Sequence, residues 1–268
     1  MTELITMHTH SMFCNHAKDP LGDMVQAAVD AGIAHMAATE HYPIPDELDP
    51  SKRSTMPAER LEAYIDAVRE QQKRDDIDVL LGCELDWLGK DETRALHASD
   101  FDQFDVVLGS IHFVDRWLMV SHKNMSRWKS VDLEAFWNRY VELWCEAAKS
   151  DMPFTVMAHA DVVKKFSPKP EFDLEPLYER MARAAREGGR MVEVNTSGAY
   201  AECAEYYPSP SLLQAFRAEG VACTVGTDAH CKEHIARDIE RAYDYMRAAG
   251  YTQLAVPTRR RGVRMVDL

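Results

Sequence analysis

Seven short apolar runs recur along this 268-residue chain, and nearly every one ends in a residue that can ligate a metal. The runs are LITMH (4–8), IAHMAATEH (33–41), VLLGCE (79–84), DVVLGSIH (105–112), FTVMAH (154–159), MVEVN (191–195) and ACTVGTD (222–228). Each is short enough for a buried strand, and amphipathic stretches lie between them. In 57–74, Leu61, Tyr64, Ile65 and Val68 share one helical face; in 132–149, Leu133, Phe136, Trp137, Tyr140, Val141 and Trp144 form an apolar stripe that reads as core. Further helices are expected at 23–32, 175–187, 210–219 and 233–249, with Ser209 as an N-cap and Pro210 at the first helical position. Strands alternating with helices imply a parallel sheet. No linker, repeat or low-complexity tract divides the chain, so the expectation is one α/β barrel domain over 1–268.

In a closed β/α barrel the C-terminal strand ends converge on one face, where active sites are built. His8 and His10 end the first run, His41 the second, Glu84 the third, His112 the fourth and His159 the fifth. Asn195 ends the sixth, Asp228 and His230 the seventh, and His16 lies one loop beyond the first. A single histidine is most simply a hydrogen-bonded structural residue, and His35, His97, His122 and His234 are assigned to that class. Ligand types at almost every strand end are a different matter, because the barrel would gather them into one pocket. Residues i and i+2 of a strand face the same side, so His8 and His10 can grip one ion together. Imidazole with carboxylate favours zinc, iron or manganese over calcium or magnesium.

Composition narrows the chemistry. A net charge of −13 argues against nucleic acid as a partner, since such binders carry a basic face. Arg259, Arg260, Arg261 and Arg264 read as solvated contacts of the C-terminal stretch. The six cysteines contain no CxxC pair and read as reduced thiols; with neither a signal-like N-terminus nor an apolar span, the expected location is the cytoplasm, with no membrane partner.

The motifs HTH…H (8–16), TEH (39–41), GCELDW (82–87), GSIHF (109–113), AHAD (158–161), EVNTSG (193–198) and GTDAH (226–230) resemble those of the PHP superfamily, named for polymerase and histidinol phosphatase. Their order and spacing are most similar to its histidinol-phosphate phosphatases, over about residues 4 to 250. That resemblance implies a distorted (β/α)7 barrel with its active site at the C-terminal ends of the strands and a centre of three divalent metal ions. Carried onto this chain, it implies that His8, His10, Glu84 and Asp228 hold one ion. Glu84 would bridge to a second ion held by His112 and His159, and His16, His41 and His230 would hold the third. It also implies that Lys164 and Ser197 contact the phosphoryl group. The stretch 198–207, GAYAECAEYY, is acidic and aromatic where histidinol phosphatases carry a basic residue.

The expected partner is therefore a small-molecule phosphate ester, L-histidinol phosphate first. Its leaving alkoxide would take a proton from a metal-bound water or from Asp228. Its ammonium would suit Glu40, Asp86, Asp115 or Asp161, all near strand ends. Three other readings remain open at this point. One is a PHP phosphoesterase for another small phosphate ester or nucleotide. Another is an amidohydrolase-type enzyme, although such enzymes often bridge their metals with lysine rather than glutamate. The third is a non-catalytic metal-binding regulator.

Overall fold

The computed structural model describes residues 2–96 and 101–268; His97 lies outside the described residues. The strands are β1 (Leu4–Thr6), β2 (Ile33–Ala38), β3 (Asp78–Asp86), β4 (Val106–Ser110), β5 (Phe113–Val114), β6 (Trp117–Leu118), β7 (Val156–Met157), β8 (Met191–Asn195), β9 (Cys223–Gly226), β10 (Gln253–Thr258) and β11 (Gly262–Asp267). The helices are α1 (Leu21–Asp30), α2 (Leu61–Gln71), α3 (Lys90–Ala95), α4 (Leu133–Lys149), α5 (Glu175–Gly188), α6 (Pro210–Ala218) and α7 (Ile239–Ala248).

Seven strands form one parallel sheet in the order β1-β2-β3-β4-β7-β8-β9. Its two edges meet. Met7 N–H donates to Val225 O and Asp228 N–H to His8 O, both at 2.8 Å, and a parallel bridge joins Thr9 to Ala229. The result is the expected α/β barrel, with one helix between each pair of successive sheet strands and α7 after the last. A short antiparallel ribbon of β5 and β6 interrupts the connection from β4 to α4. Helix α4 follows its pattern closely: the Asp132 side chain caps Ala135 N–H, and Trp137, Tyr140, Val141 and Trp144 are buried in the core. Pro210 opens α6 as expected, whereas the Ser209 hydroxyl bonds Tyr178 Oη at 3.1 Å instead of the first turn of the helix.

Two departures from the sequence reading matter. First, the strands are shorter than the apolar runs. Pairing stops at Thr6, Ala38, Ser110, Met157 and Gly226, so most ligand residues stand just beyond the ladder. His159 (φ +25°) and Asp228 (φ +51°) take up left-handed backbone as the chain turns off its strand. Second, the arginine cluster is no solvated tail. The β10–β11 hairpin lies across the N-terminal ends of the first strands. Arg259 pairs with Asp78, Arg264 with Glu3, and Arg261 donates to the carbonyls of Phe101 and Phe104. Leu254, Ala255 and Val256 of β10 are fully buried and anchor the hairpin. That end of the barrel is closed, which leaves the other for chemistry. No helix among the described residues is long and apolar enough to cross a membrane.

One half-buried arginine knits the frame. The Arg190 guanidinium, just before β8, donates to the carbonyls of Ala148 (2.9 Å), Ser150 (2.5 Å), Met152 (3.0 Å) and Phe154 (2.5 Å), gathering the turn from α4 into β7. Arg190→Met keeps the stem and strands those carbonyls. We expect a loss of roughly 2–4 kcal/mol in unfolding free energy, read from urea denaturation. A midpoint unchanged from the parent protein would show that water serves the carbonyls equally well.

Candidate metal centre

Glu84 is the only residue of the expected ligand set that stands within a strand, near the end of the nine-residue β3. Its side chain is 1% exposed and its two oxygens face different neighbours. Oε2 lies 3.3 Å from His8 Nε2, 3.4 Å from His10 Nε2 and 2.9 Å from His41 Nδ1. Oε1 lies 2.9 Å from His159 Nε2 and 3.5 Å from His112 Nε2, and accepts a hydrogen bond of 2.5 Å from Ser110 Oγ.

His8 and His10, which both reach Oε2, also reach Asp228. His8 Nε2 and His10 Nε2 are 3.1 Å apart, and Asp228 Oδ1 is 3.6 Å from the first and 3.2 Å from the second. Ligands about 2.0–2.2 Å from a tetrahedral ion stand roughly 3.3–3.6 Å from one another. The spacing therefore fits an ion of zinc size. His112 Nε2 and His159 Nε2, 3.2 Å apart, form a second group with Oε1. His16, His41 and His230 form a third, with Nε2 atoms of His16 and His230 separated by 2.9 Å. All nine residues expected as ligands are thus brought together. Glu84 Oε2, though buried, has no hydrogen-bond partner among the described residues. Such an orphan is what a metal-binding oxygen looks like in a protein without its ion.

Outer partners fix the rings. His112 Nδ1 is 3.0 Å from Asp86 Oδ1; His16 and His230 direct Nδ1 to the carbonyls of Cys14 and Asp228, both at 2.9 Å. Glu193, buried in the middle of β8, was not singled out from sequence. Its Oε1 accepts from His8 Nδ1, His159 N–H and Asn195 Nδ2, each at 2.9 Å. A carboxylate inside the apolar run MVEVN was the available signal. Gly226 makes room for it: a Cβ there would come within 2.4 Å of Glu193 Oε2 and 2.5 Å of His8 Cβ.

Electrostatics favour ligation by most of these groups. Burial alone would raise the Glu84 and Asp228 carboxyls, but the imidazoles around them outweigh it and hold both well below the usual carboxylate range. Burial, with the neighbouring His41 and His230, pushes His10 down and His16 to about 3. At His8 burial also acts downward, but Glu193, Asp228 and Glu84 outweigh it and hold the imidazole well above its usual value. Ionised carboxylates and neutral imidazoles are the forms that bind metal, so an ion at His8 displaces a proton.

Ser197 joins the group: its Oγ is 2.7 Å from Asn195 Oδ1 and 3.2 Å from Asp228 Oδ2. Lys164 stands apart, its Nζ bonded to Glu205 Oε2 (2.7 Å), Tyr206 O (2.8 Å) and Asp161 Oδ2 (3.1 Å). Of the four carboxylates expected to suit an ammonium, Glu40 accepts from Ser11, Asp86 backs His112, Asp115 pairs with Arg139, and Asp161 holds Ser209 N–H and Lys164. Glu40 Oε2 and Asp161 Oδ1 have no hydrogen-bond partner among the described residues. His35 pairs with Asp78 and Glu3, and His122 packs on Phe166; neither they nor His234 enters a ligand group.

Comparison with known proteins bears on the family and the fold. The PHP domain model matches residues 6–197. A Deinococcus radiodurans protein named "Probable histidinol-phosphatase" is 31% identical over 233 residues, spanning 86% of this chain and 87% of the relative. A Schizosaccharomyces pombe protein of the same name is 24% identical, spanning 94% and 89%. The crystal structure of histidinol phosphate phosphatase from Lactococcus lactis, complexed with zinc, L-histidinol and phosphate, shares the fold with a TM-score of 0.78 at 19% identity, covering 98% of this chain and 99% of that one.

Glu193→Gln tests the outer support. It keeps the volume and removes the anion that orients His8. Metal affinity, measured by chelator competition, is expected to fall about 10–100-fold while the circular dichroism spectrum is retained. Unchanged affinity would make Glu193 a packing residue.

Proposed function

The chain belongs to the PHP domain family, and on that premise we propose that it is a metal-dependent phosphomonoesterase that hydrolyses L-histidinol phosphate to L-histidinol and phosphate. The observation that carries the reading is the division of Glu84 between two sets of imidazoles, at the end of the barrel where the residues expected as ligands gather. Three divalent ions are assigned to the three ligand groups, with zinc, manganese or iron as the chemically suitable identities. When bound, such ions supply an activated water and a positive field for the phosphoryl oxygens.

The protein's own groups have separate tasks. Glu84 holds two ligand groups in register through its two oxygens. Asp228 is the more open carboxylate, with its side chain 17% exposed against 1% for Glu84, and its second oxygen orients Ser197. The Ser197 hydroxyl, which points at Asn195 Oδ1 and Asp228 Oδ2, turns its one proton to a phosphoryl oxygen when the ester binds, and Lys164 adds positive charge from the side of β7. The acidic loop 198–207, next to Ser197, meets the organic part of the ester. L-histidinol as that part is supported by the relatives named as histidinol phosphatases.

The direct test is phosphate release from L-histidinol phosphate and from an aryl phosphate on one preparation of known metal content. Exhaustive chelation is expected to abolish both reactions, and zinc, manganese or iron to restore part of each. Full activity after chelation would overturn the metal mechanism. Equal kcat/KM for the two esters would move the enzyme to another phosphate ester within the family. Glu84→Gln, which removes the charge shared by two groups, is expected to lower turnover by at least about 100-fold and to lose metal. Near-normal rate and stoichiometry would reduce Glu84 to a structural role.

A further inference from the structure

Lys164 sits in a socket whose walls differ in kind. Asp161 has no solvent exposure, and its Oδ2 holds both Lys164 Nζ at 3.1 Å and Ser209 N–H at 2.8 Å. Tyr206 O, at 2.8 Å, is a second fixed acceptor. The third, Glu205 Oε2 at 2.7 Å, belongs to a side chain that is 49% exposed. Of the ammonium's three protons, two are donated, to Glu205 and to Tyr206 O, and Asp161 adds an ion pair. Nζ also lies 5.3 Å from the centre of the Tyr207 ring, which stands edge-on to His159 of the metal centre with ring centres 6.3 Å apart. The cation is therefore one aromatic ring away from a metal-binding imidazole, yet two carboxylates against one ammonium leave the socket with a net charge of about −1, which repels an incoming phosphate dianion.

The two carboxylates are not equivalent. Asp161 stripped of Lys164 would be a buried, unpaired charge, so that pair persists. Glu205 can turn into water at little cost, because a half-exposed ion pair contributes little. We propose that Glu205 is an exchangeable counter-ion: the phosphoryl group replaces it on Lys164, so Glu205 sets the affinity for phosphate and ties substrate entry to release of the 198–207 loop. The proposal rests on the reading of Lys164 as a phosphate contact. Glu205 acts through Lys164 and is a positioning residue, not a catalytic one.

The test uses zinc-loaded protein and inorganic phosphate as the probe, titrated by calorimetry, with kcat and KM for an aryl phosphate measured in parallel. Glu205→Gln is expected to bind phosphate about two- to fivefold tighter and to lower KM more than it changes kcat. Glu205→Ala, which cannot donate an amide of its own, should act in the same direction. In the Lys164→Met background the gain should vanish. Phosphate binding that is unchanged or weaker in both Glu205 variants overturns the proposal, as does a gain that survives without Lys164. The two arms separate the readings: tighter phosphate binding without turnover of any phosphate ester upholds the exchange and overturns the phosphatase assignment.

Discussion

The Glu84 carboxylate reaches one set of imidazoles with each oxygen, and the barrel is arranged around that reach. It stands on the longest strand of the sheet, flanked by β2 and β4. Tyr42 N–H bonds Glu84 O at 2.7 Å and Glu84 N–H bonds Glu40 O at 2.8 Å, so the segment carrying His41 is stitched to Glu84 through backbone. Ser110, the last residue of β4, fixes Oε1. The neighbouring strands end early and their chains turn inward at its level. A barrel of seven equally long strands would carry the histidines past this carboxylate.

Gathering these groups is costly. Two buried carboxylates and several buried imidazoles lose hydration, and only mutual attraction and bound ions offset that loss. Left-handed backbone at His159 and Asp228 adds strain, about 1–3 kcal/mol at each such residue. At the opposite end of the barrel the arginines of the C-terminal hairpin meet carboxylates and carbonyls near the starts of β1, β3 and β4, and the fully buried Leu254, Ala255 and Val256 anchor the hairpin. Left-handed backbone occurs there too, at Arg260 (φ +58°) and Arg261 (φ +57°), but without buried carboxylates facing imidazoles.

Sequence patterning shows the order of elements and the residues gathered at the barrel end because both follow from local rules. An apolar run of strand length must be buried, and a polar residue at its end must emerge at the barrel face. His8, His41, His159 and Asp228 were visible on those grounds, despite lying two or three residues beyond the last residue of their strands. What stayed hidden depends on contacts between distant segments. Glu193 reads as an anomaly in MVEVN until His8 and His159 are seen against it, 185 and 34 residues away in sequence. The arginines at 259–264 read as solvated until the hairpin folds back onto Asp78 and Glu3. The partners of Lys164 were equally out of view, since an ammonium shows its charge in sequence but not its counter-ions.

Those counter-ions bear on how a chain of net charge −13 accepts a phosphate dianion. Glu84, Asp228, Glu193 and Asp86 surround the ligand nitrogens, and the nearby Lys164 is already balanced by Asp161 and Glu205. The polypeptide therefore offers an anion little attraction of its own. Bound divalent ions reverse the sign, since they are the largest local charges in such a site. Affinity for phosphate is then a property of the metal-loaded protein, and the coupling is reciprocal: whatever free energy the ions lend to phosphate binding, phosphate returns to ion binding. An acidic, ligand-rich barrel end thus discriminates by charge in two stages, first selecting cations and then, through them, the anion.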